Sequence, residues 1–123
     1  MDERRIKWIF RHLLKQKRMK GKRSISPHMK VDKGHRSGKD IVRTVVGHGE
    51  PHPNTVEHHI AWIELYGVRK NNDKAMALGR TACASYFSNP NVRFQVNHIE
   101  DFKAFHALAY CNIHGLWVNS LER

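Results

Sequence analysis

Apolar residues recur along most of the chain at three- and four-residue intervals, the spacing that lines one face of a helix. From Asn54 onward, Val56, Ile60, Ile63 and Tyr66 follow this spacing, and Trp62 and Leu65 widen the apolar arc. Asn54 stands as an N-cap with Glu57 three residues later as its capping-box partner, and Pro53 keeps the preceding chain non-helical. Gly67 then supplies a left-handed C-terminal position. A second helix is predicted over 72–87, where Ala75, Gly79, Ala82 and Cys83 lie among Leu78, Tyr86 and Phe87, small residues that let a neighbour approach closely. Ser88, Asn89 and Pro90 stop it. A third, over 98–111, opens with Asn97 and Glu100 in the N-cap relation and carries Ile99, Phe102, His106 and Ala109 on one face, with Phe105 and Leu108 beside it. Gly115 ends it, and Leu116, Trp117 and Val118 are expected to fold back as an apolar tail.

The N-terminal stretch repeats the pattern with a different polar face. Ile6, Ile9, Phe10, Leu13 and Leu14 make an apolar stripe, while Arg4, Lys7, Arg11, Lys15 and Arg18 occupy the opposite side. From Met19 to Pro53 the chain is rich in Lys, Gly and Ser and reads as an arm. Ile41 to Val46, and Val92, Phe94 and Val96, have the β-branched alternation of two short strands that could pair. The expected fold is therefore α-rich, mainly α or α+β: a compact three- to four-helix domain with a basic N-terminal helix and arm and at most a small two-stranded β element. Residues 1–53 form the basic segment and 54–123 the helical core of what is one domain overall.

Charge narrows the function. The net charge is +11, and residues 1–43 hold fifteen Lys or Arg against four acidic residues, whereas the rest of the chain holds seven of each sign. Such asymmetry points to an anionic partner for the basic segment. The preferred reading is a small, regulatory DNA- or RNA-binding protein. Its phosphate contacts would come from Arg4, Arg5, Lys7, Arg11, Lys15, Lys17, Arg18, Lys20, Lys22, Arg23, Lys30, Lys33, Arg36, Lys39 and Arg43. The first helix pair could also serve as a helix-turn-helix with Lys70, Lys74 and Arg80 toward the duplex. The alternative is an interaction module or inhibitor that binds an acidic protein surface. Attachment to a membrane through Ile6 to Leu14 ranks lower. No apolar run reaches the length of a membrane span and no secretory signal is evident, so a cytoplasmic location is expected.

Ten histidines raise the question of metal. His48, His52, His58 and His59 cluster around Glu50 and Glu57, but Gly47, Gly49, Pro51 and Pro53 exclude a helix there, which leaves only a loop site without standard ligand spacing. His98, Cys111 and His114 form a second group in NHIEDFKAFHALAYCNIH. This stretch, fewer than twenty residues long, resembles the HNH-type nucleases, and the resemblance implies a metal-dependent nuclease with His98 as general base. It departs from that family in lacking paired Cys-x-x-Cys elements, so the nuclease is the lesser alternative. Cys83 and Cys111 sit in apolar patterns and read as buried free thiols. No nucleophile-elbow, P-loop, dinucleotide or HExxH motif is present. The expectation is thus a non-enzymatic protein with no catalytic residues, no metal and no cofactor.

Overall fold

The computed structural model describes residues 26–34 and 39–123. Among them are seven strands and one 3-10 turn, and no α-helix. The strands are β1 His28–Asp32, β2 Lys39–Val45, β3 Ile60–Arg69, β4 Ala75–Ala82, β5 Asn91–Asn97, β6 Phe102–Cys111 and β7 Gly115–Glu122. They pair antiparallel into a three-stranded sheet, β1-β2-β5, and a four-stranded sheet, β4-β3-β6-β7. One core joins the sheets: Met29, Val42, Phe94 and Val96 from the first meet Ile63, Leu65, Phe105, Ala107, Ala109 and Trp117 from the second.

The α-rich expectation is overturned. The residues assigned to the first helix form an irregular loop up to His59 and then β3, in which Ile63 and Leu65 face the core while Glu64 lies on the other side. Those of the second helix form the β3–β4 turn, β4 and the start of the loop after it, and those of the third a 3-10 turn, Ile99–Asp101, followed by β6. The reason lies in the four-stranded sheet, which is apolar on both faces. Tyr66, Leu108 and Val118 are buried in a second cluster, packed with Trp62, Ala75 and Leu116. A strand with apolar residues on both sides loses its two-residue alternation, and its apolar run then satisfies helical spacing equally well. β-Branched and aromatic residues in IAWIELYGV fit the pleated surface.

The helix punctuation has other uses. Gly67 lies inside β3, where a Cβ would come 2.6 Å from Phe102 Cδ1, and a Cβ on Gly79 would come 2.7 Å from Phe94 Cδ1. Both glycines make room for an aromatic ring rather than end or pack a helix. Asn54 caps no helix: its side-chain amide donates to Ser88 O at 3.1 Å and its carbonyl accepts from Tyr86 N at 2.8 Å. The 3-10 turn begins at His98, a left-handed residue with φ 54° and no side-chain cap. Leu116, Trp117 and Val118 lie in β7. The two strands expected at 41–46 and 92–96 pair as β2 and β5, with Val42 opposite Phe94. Thus β1 and β2, before the 53/54 boundary, share one core with the strands after it. The amphipathic segment 4–18 lies outside the described residues.

Phe105 is fully buried between the sheets. Phe105→Ala is expected to destabilise the fold by about 3–5 kcal/mol in denaturant titration, whereas an exposed-site control such as Glu100→Ala stays close to the parent. His106 packs on the outer side of the four-stranded sheet with Nδ1 2.6 Å from Ser120 Oγ. Burial lowers its pKa, and the nearby Glu122 carboxylate offsets this only in part. The unfolded chain therefore takes up the proton first, so stability is highest above the ordinary histidine pKa and falls as pH drops through that value toward the lower folded one. Thermal melts between pH 8 and pH 5 should show this loss in the parent and less of it in His106→Gln.

Candidate metal centre

Two residues from each of the two groups considered above converge at one end of the sandwich. The β6–β7 hairpin supplies Cys111 and His114. Cys111 is the last inward residue of β6, following Phe105, Ala107 and Ala109 at two-residue spacing, and is fully buried. It pairs with Gly115 across a three-residue loop, and Gly115 has the positive φ of 81° that such a loop requires of a residue without Cβ. The loop turns His114 back over Cys111, with Sγ 3.5 Å from His114 Nδ1. The His114 N–H donates to the same sulfur at 3.4 Å, and Trp117 Nε1 holds the His114 carbonyl at 3.1 Å.

The loop before β3 supplies His52 and His58. His58 Nε2 lies 3.3 Å from His114 Nδ1, and the His52 ring meets the His58 ring edge-on at 4.8 Å between centroids. Together His52, His58, Cys111 and His114 offer one donor atom each, all within 4.8 Å of one another. The sequence offered no ligand set at standard spacing, yet the fold assembles four donors from residues far apart in the chain. The spacing of Cys111-x-x-His114 was visible in the sequence; its convergence with His52 and His58, more than fifty residues earlier, was not.

His52 tests whether the set suits a metal. Its Nδ1 is 2.7 Å from Pro53 O, a group that only accepts, so Nδ1 carries the proton and Nε2 carries the lone pair. That Nε2 is buried with no hydrogen-bond partner. An orphaned buried acceptor costs free energy unless something occupies it, and a metal ion does so. Burial lowers the His52 pKa, with the neighbouring His58, His114 and His59 adding to the shift and the Pro53 bond opposing it. A neutral imidazole is the ligating form. Three imidazoles and a thiolate suit a transition metal of borderline softness, iron or zinc.

Other candidates lie elsewhere. His59 turns Nδ1 to the carbonyls of Thr55 and Val56, at 3.0 and 3.2 Å. His48 stacks on His28 at 3.8 Å. His98, the residue placed as a nuclease base, is exposed beside Glu100. Lys70 and Lys74 belong to the β3–β4 turn, and Arg80 on β4 pairs with Glu64 at 3.3 Å and covers the Trp62 ring at 4.4 Å, so these residues form no recognition helix. Of the fifteen basic residues, Arg4, Arg5, Lys7, Arg11, Lys15, Lys17, Arg18, Lys20, Lys22, Arg23 and Arg36 lie outside the described residues. Lys30 is exposed on β1 beside Asp32, Lys33 follows that strand, Lys39 opens β2, and Arg43 sits within β2 with Nε buried. None of these four joins the cluster.

Comparison with known proteins bears on the same residues. The family model for desulfoferrodoxin matches residues 14–120. A superoxide reductase of Pyrococcus abyssi is 42% identical over 88 residues, covering 68% of this chain and 76% of the relative. One of Pyrococcus horikoshii is 39% identical over 100 residues, covering 77% and 85%. The solved superoxide reductase (1Fe-SOR) from Giardia intestinalis superposes with a TM-score of 0.70 at 32% identity, covering 80% of this chain and 96% of its own. These matches overturn the nucleic-acid-binding reading, together with its acidic-protein and nuclease alternatives, because the relatives are reductases. Net charge reports the sign of the field around a protein and not which anion answers it. The four converging ligands and the match over residues 14–120 place the chain in the desulfoferrodoxin family.

Proposed function

We propose that this chain is a superoxide reductase whose iron is held by His52, His58, Cys111 and His114. The observation that carries the reading is the convergence of those four donors around the orphaned His52 Nε2. Held by these four residues, iron would supply one-electron reducing chemistry, by which superoxide with two protons would become hydrogen peroxide and an external donor would restore the electron.

The chain's own residues set the conditions for that chemistry. The Pro53 carbonyl fixes the His52 tautomer and ring orientation. The His114 N–H to Cys111 Sγ bond stabilises the thiolate charge and tempers its donation, one of the levers by which a protein sets a metal's potential. Cys111 is packed among core residues, which keeps water from the sulfur. His58 and His114 are only half-buried, and Val56 and Ile113 beside them are 69% and 60% exposed, so the imidazole side faces outward and admits a small anion. The net charge of +11 draws a negatively charged substrate toward the protein.

Among the described residues no helix is long and apolar enough to cross a membrane. We place the protein in the cytoplasm, since both cysteines are free and a reducing compartment preserves the Cys111 thiol.

Anaerobic loading with Fe2+ should give about one equivalent of bound iron and, on exposure to superoxide with a reductant present, one hydrogen peroxide per superoxide consumed without oxygen release. Cys111→Ser should abolish the sulfur-to-iron charge-transfer absorption, and His52→Ala should lower iron occupancy. Failure of the parent to bind iron, or oxygen release in the ratio of a dismutation, would overturn the reading.

A further inference from the structure

The two halves of the metal centre belong to distant parts of the chain, and one side chain bridges them. We infer that Asn112 is a positioning residue that clamps the His58 loop to the Cys111–His114 hairpin. The inference rests on the reading of the cluster as an iron centre. Asn112 lies in the hairpin loop between Cys111 and His114 and is itself exposed. Its side-chain carbonyl accepts from His59 N at 2.8 Å, and its amide donates to Glu57 O at 2.9 Å. Its backbone N–H donates to His59 O at 3.2 Å. One residue thus holds the chain immediately before and after His58, while its own neighbours carry the sulfur and the third imidazole.

The rest of the loop shows why such a clamp matters. Residues 55–58 close on themselves, with Thr55 N donating to His58 O at 2.8 Å and His58 N donating to Thr55 Oγ1 at 3.0 Å. This small turn is internally tied, yet it carries no regular secondary structure, and Thr55, Val56 and Glu57 are all exposed. Its position against the hairpin therefore has to come from cross-loop bonds, and Asn112 makes three of them. The arrangement needs a donor and an acceptor on one short side chain, which asparagine offers. Aspartate keeps the acceptor for His59 N but turns a second oxygen toward the Glu57 carbonyl. Leucine offers neither group. In every variant the backbone bond to His59 O can persist, so the hairpin itself should survive.

The test loads the parent, Asn112→Asp and Asn112→Leu with Fe2+ and measures iron dissociation into a chelator, the energy of the sulfur-to-iron charge-transfer band after oxidation of the bound iron to Fe3+ with ferricyanide, and thermal unfolding of the metal-free chains. Asn112→Leu should release iron roughly 10–100-fold faster and shift the band, with Asn112→Asp intermediate, while the metal-free melts stay near the parent's. Unchanged release and band in both variants would overturn the inference alone, as would metal-free melts that fall enough to account for the iron loss. A parent that takes up no iron would remove the iron-centre reading and the inference with it.

Discussion

The register of the β6–β7 hairpin is the constraint on which the candidate centre depends. Strand β6 presents alternate residues to the core, and its last inward position is a cysteine rather than another apolar residue. Because Cys111 pairs with Gly115, the loop between them has three residues, and the third is a histidine turned back over the sulfur. A slip of one residue in β6 would send Cys111 to the opposite face of the sheet and dissolve the site. The inward residues Phe105, Ala107 and Ala109 hold that register, since they belong to the core between the two sheets. Packing far from the ligands thus decides where the sulfur points.

The second half of the site is built on different physics. Residues 46–59 contain two prolines and two glycines with positive φ, and form no strand or helix. Such a segment cannot rely on a ladder of backbone bonds, and it is held by side chains instead. Asn54 ties it to the 84–88 loop, Thr55 closes its own turn, and Asn112 fastens it to the hairpin. His52 is buried by this arrangement and loses solvent at Nε2, which leaves a neutral nitrogen with its lone pair unused. The fold in this way spends burial free energy on an atom whose natural partner is a metal ion.

Charge on the protein has a similar two-level character. The excess of positive charge is a long-range property that concentrates anions of any kind near the molecule. What distinguishes a small inorganic anion from a phosphate backbone is the local site, and that site is built from three imidazoles and a cysteine sulfur. The four described members of the basic set lie on or beside β1 and β2, and none belongs to the centre.

Several features were open to reading in the residues alone: the pairing segments at β2 and β5, the burial of Ile60, Ile63, Phe102 and Phe105 but not of Leu78, which is half-buried, the free cysteines, of which Cys111 is buried and Cys83 only half-buried, and the presence of chemistry-bearing residues in the loop before β3 and at Cys111 to His114. Those depend on local composition and short-range spacing, which a chain carries with it. The strand identity of β3, β4 and β6 was not local, because a sheet packed with apolar residues on both faces erases the alternation by which strands are read. Gly79 was legible as a place of close approach, whereas Gly67 read as a helix end, and only the packed structure shows that both make room for aromatic rings. The metal centre was hidden for the same reason at a larger scale: His52 and His58 stand more than fifty residues from Cys111 and His114, and neither half makes a ligand set by itself. Antiparallel pairing of β3 with β6, which puts Ile60 opposite Cys111, is what brings the two halves together.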